Sequence, residues 1–110
     1  MTNHLYDGDL PEELDLGSII AVDTETMGLN PIRDRLCLIQ ISSGDGNAHL
    51  IQISNDQKLA PNLCRILENP DILKIFHFGR FDIAVLLNRF DILCKSVYCT
   101  KIASKLVRTF

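Results

Sequence analysis

Ser18-Ile19-Ile20-Ala21-Val22-Asp23-Thr24-Glu25-Thr26-Met27-Gly28-Leu29 decides both the fold and its chemistry. Ile19 to Val22 is short, uninterrupted and rich in β-branched residues, the composition of a buried strand. Side chains two apart on a strand share a face. Asp23 and Glu25 therefore set two carboxylates side by side where the strand leaves the core, ahead of a turn containing Gly28. Like charges that close repel, and burial strengthens the repulsion. A divalent cation held by oxygen ligands relieves it. A strand-end turn with two solvated acids is the other reading of the same residues.

Outward from this strand the chain keeps to short apolar runs separated by turn residues. After a loop through Asn30-Pro31-Ile32-Arg33-Asp34-Arg35, residues 36–42 predict a second strand. Ser43-Gly44-Asp45-Gly46-Asn47 is a hairpin turn, and residues 48–53 return as a third strand. Short turns between three strands imply an antiparallel meander. Leu59, Leu63, Ile66 and Leu67 then follow helical spacing, and Pro70 stops that helix. Residues 72–76 read as a buried strand. Ile83, Leu86, Leu87 and Phe90 mark an amphipathic helix opening near Gly79. Residues 96–99 are a short strand, and Thr100 is placed to cap a helix whose apolar face is Ile102, Ala103, Leu106, Val107 and Phe110. The order βββαβαβα predicts an α/β fold, a mixed five-stranded sheet with helices packed on it. The last apolar helix has no stop signal, so the expectation is a C-terminally truncated domain.

Composition narrows the class. At 110 residues the chain is at most one domain, and 46% hydrophobic with 23% charged residues is a soluble composition. No apolar stretch approaches the ~20 residues that span a bilayer, and the N-terminus carries no secretion signal. Cytoplasm is the default, and no membrane partner is expected. Cys37, Cys64, Cys94 and Cys99 show no C-x-x-C spacing and read as reduced, partly buried thiols rather than a zinc site. Residues 1–32 carry seven acids and no Lys or Arg, whereas Lys95, Lys101, Lys105 and Arg108 occupy an acid-free C-terminal end. That balance argues against a sequence-blind grip on long nucleic acid, which needs many phosphate contacts. Short oligonucleotides remain compatible with it.

A second constellation, His77-Phe78-Gly79-Arg80-Phe81-Asp82, lies where the fourth strand passes into a helix. Ligands collect at such strand-to-helix edges in α/β sheets, so Asp82 offers a third carboxylate facing Asp23 and Glu25. An acid in a first helical turn also simply favours the helix dipole.

These motifs, together with Arg35-Leu36-Cys37-Leu38-Ile39-Gln40-Ile41, resemble the first half of a DEDD-type 3′→5′ exonuclease. The His five residues before Asp82 is similar to ribonuclease D. His77 to Asp82 and Cys99-Thr100-Lys101-Ile102-Ala103-Ser104 resemble the small alphaproteobacterial nanoRNase C group. The resemblance runs from about Leu5 to Phe110. It implies a ribonuclease H-like fold and makes residues 1–110 the N-terminal part of a single 3′→5′ exonuclease domain. It also implies hydrolysis of short single-stranded RNA, dinucleotides included, to nucleoside 5′-monophosphates by two Mg²⁺ or Mn²⁺ ions. Asp23 would bridge both ions, Glu25 would complete one site and Asp82 would hold the second. Thr24, Met27, Gly28, Leu29, His77, Phe78, Arg80 and Phe81 fall on the substrate side of this pattern, with Leu29 matching an apolar wedge against the terminal bases. A homo-oligomer, an octameric ring, is implied as well.

The family's last motif, Tyr-x-x-x-Asp or His-x-x-x-Asp, is absent: Tyr98 is followed four residues later by Ile102 and Tyr6 by Leu10. The expectation is therefore a chain inactive alone, with activity belonging to its full-length parent. The alternatives are a ribonuclease D-like trimmer of tRNA or structured RNA, and a non-catalytic RNA- or protein-binding module should the chain be complete.

Overall fold

The computed structural model describes residues 2–28, 35–54, 59–77 and 79–100. Six strands and two helices follow in the order β1 (Thr2–Asp7), β2 (Ile19–Thr26), β3 (Leu36–Ser42), β4 (Asn47–Gln52), α1 (Pro61–Glu68), β5 (Leu73–Phe76), α2 (Gly79–Phe90) and β6 (Val97–Cys99). They build one mixed sheet in the order β1-β4-β3-β2-β5-β6. The five expected strands are all present, and β2-β3-β4 is the antiparallel meander. Gly44 and Gly46 turn the β3–β4 hairpin at φ 80° and 87°, a region open to glycine at no steric cost. The β5–α2–β6 segment is a parallel crossover unit beside β2.

The sixth strand is a departure from the sequence reading. β1 lies parallel to β4 at the sheet edge, with His4 opposite His49 and Tyr6 opposite Ile51. The rings of His4 and His49 stack at 5.1 Å, those of Tyr6 and His49 at 5.8 Å, and Tyr6 Oη shares a 2.9 Å hydrogen bond with His49 Nδ1. Burial, then the neighbouring His4, lowers the His49 pKa.

Both helices pack on one face of the sheet. Ile20, Val22, Ile39, Ile41, Ile51 and Phe76 project from the strands to meet Leu63, Ile66 and Leu67 of α1 and Val85 and Leu86 of α2. Pro61 opens α1 at a position whose amide needs no helical partner. The next two amides, of Asn62 and Leu63, donate to the Asp9 carboxylate at 3.0 and 2.8 Å. The acidic N-terminal segment thus caps a helix more than fifty residues away. Leu59, expected on the apolar face of α1, precedes the helix and is 78% exposed. In α2 the buried stripe is Gly79, Asp82, Val85 and Leu86, and Leu87 lies outward. Lys74 is fully buried in β5, and its ammonium donates to the carbonyls of Asn69 and, at 2.9 Å, Lys95. It ties the end of α1 to the approach to β6. The last expected helix, beginning at Thr100, lies outside the described residues.

Candidate metal and nucleic-acid site

Strand β2 runs to Thr26, well past the apolar run Ile19 to Val22, so Asp23 and Glu25 lie within it rather than at its exit. Strict alternation governs them. Ile20 and Val22 are buried and Thr24 and Thr26 half-buried on the helix-covered face, while Ile19, Ala21, Asp23 and Glu25 are exposed on the other. The two carboxylates do share a face, as their spacing requires. A register shift at Glu25/Thr26 bends this end of β2 away from regular pairing with β3, the kind of irregularity that re-aims side chains beside a site.

The pairing of β2 with β5 stops at Val22 opposite Phe76. Beyond that point β5 hands over to α2, whose first turn comes alongside β2 in the place a strand would have continued. Asp82 sits there, 5% exposed. The Thr24 hydroxyl donates to Asp82 Oδ1, while the Thr24 amide donates to Asp23 Oδ1 at 3.0 Å. Burial raises the Asp82 pKa to about 6; the Thr24 hydrogen bond opposes the rise and the Asp23 charge adds to it. The structure thus brings Asp82 within electrostatic reach of Asp23, from opposite sides of one strand.

Among the described residues no three His, Cys, Asp or Glu side chains converge as the full ligand set of an ion would. The donors that are present fit a hard divalent cation: they are carboxylate oxygens, and Asp82 is buried within reach of the Asp23 charge, which His77 only partly offsets. A cation there would offset both burial and the Asp23 charge.

The other residues singled out from sequence divide clearly. His77 is exposed, and its Nδ1 lies 3.1 Å from Thr100 Oγ1. Arg80 is exposed, Phe81 is half-buried against the core, and Met27 is 71% exposed. Gly28 accepts a hydrogen bond from Thr26 Oγ1. Leu29 and Phe78 lie outside the described residues. Ala21, Asp23, Gln40, Ser42, Ile75 and His77 line an open depression of about 280 Å³. Gln40 and Ser42 had no signal in the sequence beyond their outward parity on β3. Thr24, on the substrate side of the sequence pattern, gives its hydroxyl hydrogen bond to Asp82.

The Asp82 pKa is higher folded, about 6, than the ordinary 3.8, so the associated stability is present below pH ~4 and is lost as pH rises through about 6. Asp82→Asn keeps an acceptor for Thr24 and removes the buried charge. In EDTA at pH 7.5 this variant is expected to be more stable than the wild type by about 1–3 kcal/mol, with the difference gone at pH 4. Urea unfolding at both pH values checks it.

A six-stranded mixed sheet with two carboxylates on its central β2 strand and a third on the helix after β5 has clear relatives. A family model described as 3′–5′ exonuclease matches residues 8–109. The chain belongs to this 3′–5′ exonuclease family. It is 30% identical to ribonuclease D of Zymomonas mobilis over 95 residues, covering 86% of this chain and 24% of that protein. Among solved structures, Brucella melitensis NrnC with bound Mg²⁺ superposes with a TM-score of 0.90 at 54% identity, covering 99% of this chain and 55% of that one. The same protein bound to pGG gives the same TM-score and identity. Escherichia coli RNase D, an exoribonuclease involved in structured RNA processing, gives 0.65 at 32% identity over 79% of this chain and 23% of that chain. The chain thus spans about a fifth to a quarter of the length of the ribonuclease D relatives and about half of NrnC.

Proposed function

We propose that the whole protein is a divalent-metal-dependent exoribonuclease that removes nucleoside 5′-monophosphates from the 3′ end of very short RNA. The observation that carries this reading is the approach of buried Asp82 to the Asp23 end of β2. Asp23, Glu25 and Asp82 would hold two Mg²⁺ or Mn²⁺ ions, and residues 1–110 would form part of one exonuclease domain. Bound ions stabilise the attacking and leaving oxygens of an in-line displacement. The chain itself supplies the oxygen donors, and Thr24 and the β5–α2 junction set where Asp82 stands. His77 and Arg80, both exposed at this edge, would meet substrate phosphates. Mg²⁺ in one NrnC structure and pGG in another support the metal and the short substrate at 54% identity. The acidic balance of the chain, -3 overall, also suits a short ligand with few phosphate contacts. The homo-oligomeric ring implied by the resemblance goes with the same reading.

The test compares turnover of pGG, a long unstructured RNA and a tRNA by the full-length protein with Mn²⁺. Fastest turnover of pGG is expected. Preferential trimming of the tRNA would favour a ribonuclease D-like role instead, and tight RNA binding without any turnover would favour a non-catalytic module.

A further inference from the structure

We infer that Thr24 is a positioning residue whose hydroxyl holds the Asp82 carboxylate in the orientation that presents it to a divalent ion, a role that rests on the metal reading above. Thr24 stands between the two acids of β2, and alternation turns it to the opposite face. The edge of β2 beside it is free of β5 from Asp23 onward, because the β2–β5 pairing ends at Val22 opposite Phe76. The first turn of α2 fills the space and brings Asp82 against it. Thr24 Oγ1 donates to Asp82 Oδ1, which fixes one carboxylate oxygen and leaves Oδ2 for another partner. A donor to Oδ1 matches the ionised carboxylate, the form in which an acid binds a metal. The β-branched side chain of threonine is stiff about χ1, so the strand backbone sets where the hydroxyl stands. Partners of this kind, which orient a ligand without touching the ion, typically change metal affinity when removed.

Thr24→Val keeps the shape of the side chain and removes the donor. In the full-length protein it is expected to weaken Mn²⁺ binding roughly 10–100-fold, read from the electron paramagnetic resonance signal of free Mn²⁺ without any RNA present. Thr24→Ser retains the hydroxyl and is expected to bind Mn²⁺ like the wild type. Thr24→Ala serves in place of a poorly soluble Thr24→Val, with the same expected loss. Asp82→Asn is measured beside them. Loss of binding in Asp82→Asn with wild-type binding in Thr24→Val would overturn the positioning role and leave the metal reading standing. Equal weakening in Thr24→Ser and Thr24→Val would overturn it too, because the hydroxyl would then not be what matters. Undiminished binding in Asp82→Asn would overturn the metal reading itself.

Discussion

Asp23→Ala is expected to abolish metal-dependent hydrolysis in the full-length protein, lowering kcat by on the order of 10³-fold or more, beyond the roughly 10–100-fold that losing a ligand's outer partner costs. Asp23 is exposed on β2, so its side chain contributes little to packing, and exposed substitutions usually shift stability by no more than about 0.5 kcal/mol. The fold should therefore survive while activity does not. Glu25→Ala, on the same face two residues on, is expected to behave alike. Both effects are read by following nucleoside 5′-monophosphate release with Mn²⁺, beside the urea midpoint of each variant. Wild-type-like turnover by either would remove that residue from the metal site.

Gly79→Ala is the second large effect, and it works through packing. Gly79 opens α2, and a Cβ there would lie 2.6 Å from Phe76 Cβ and 2.8 Å from Cys99 Sγ. Phe76 is fully buried between the sheet and the helices, and its Cβ is fixed to the β5 backbone, so it has nowhere to go. The helix must lift from β5 and β6 instead. Overpacking of this kind costs about 1–3 kcal/mol, and Asp82, three residues along, lifts with the helix. The variant is expected to lose that much stability in urea and also to bind Mn²⁺ more weakly than the wild type. Cys99→Ala in the same chain should recover only part of the loss, since the Phe76 contact persists. Unchanged stability in Gly79→Ala would mean that the approach of α2 to β5 is looser than 2.6 Å implies.

Much of this arrangement can be traced to local patterns. Ile19–Val22, Leu36–Ile41 and Leu73–Phe76 are mainly apolar runs bounded by turn residues, interrupted only by Gln40 and Lys74, and each is a strand or part of one. The period of two placed Asp23 and Glu25 together correctly. β1 was not legible, because Thr2-Asn3-His4-Leu5-Tyr6-Asp7 is mostly polar and its support is remote: parallel pairing to β4 and ring stacking on His49. The spacing of Ile83, Leu86, Leu87 and Phe90 identified α2 but not its exact rotation. The close approach at Gly79 turns Asp82 and Val85 inward and leaves Leu87 45% exposed. Parity alone shows that Thr24 points away from Asp23 and Glu25. What it meets there depends on β5 ending at Phe76, a property of the sheet rather than of any local stretch.

Asp23, Glu25 and Asp82 are proposed to hold divalent ions at the junction of β2 and α2. Anomalous diffraction from crystals of the full-length protein grown with Mn²⁺ and pGG would locate them. Two manganese peaks about 4 Å apart, with Asp23 between them and Asp82 on one, are the result expected. Manganese bound elsewhere, with no peak in contact with Asp23 or Asp82, would contradict this assignment.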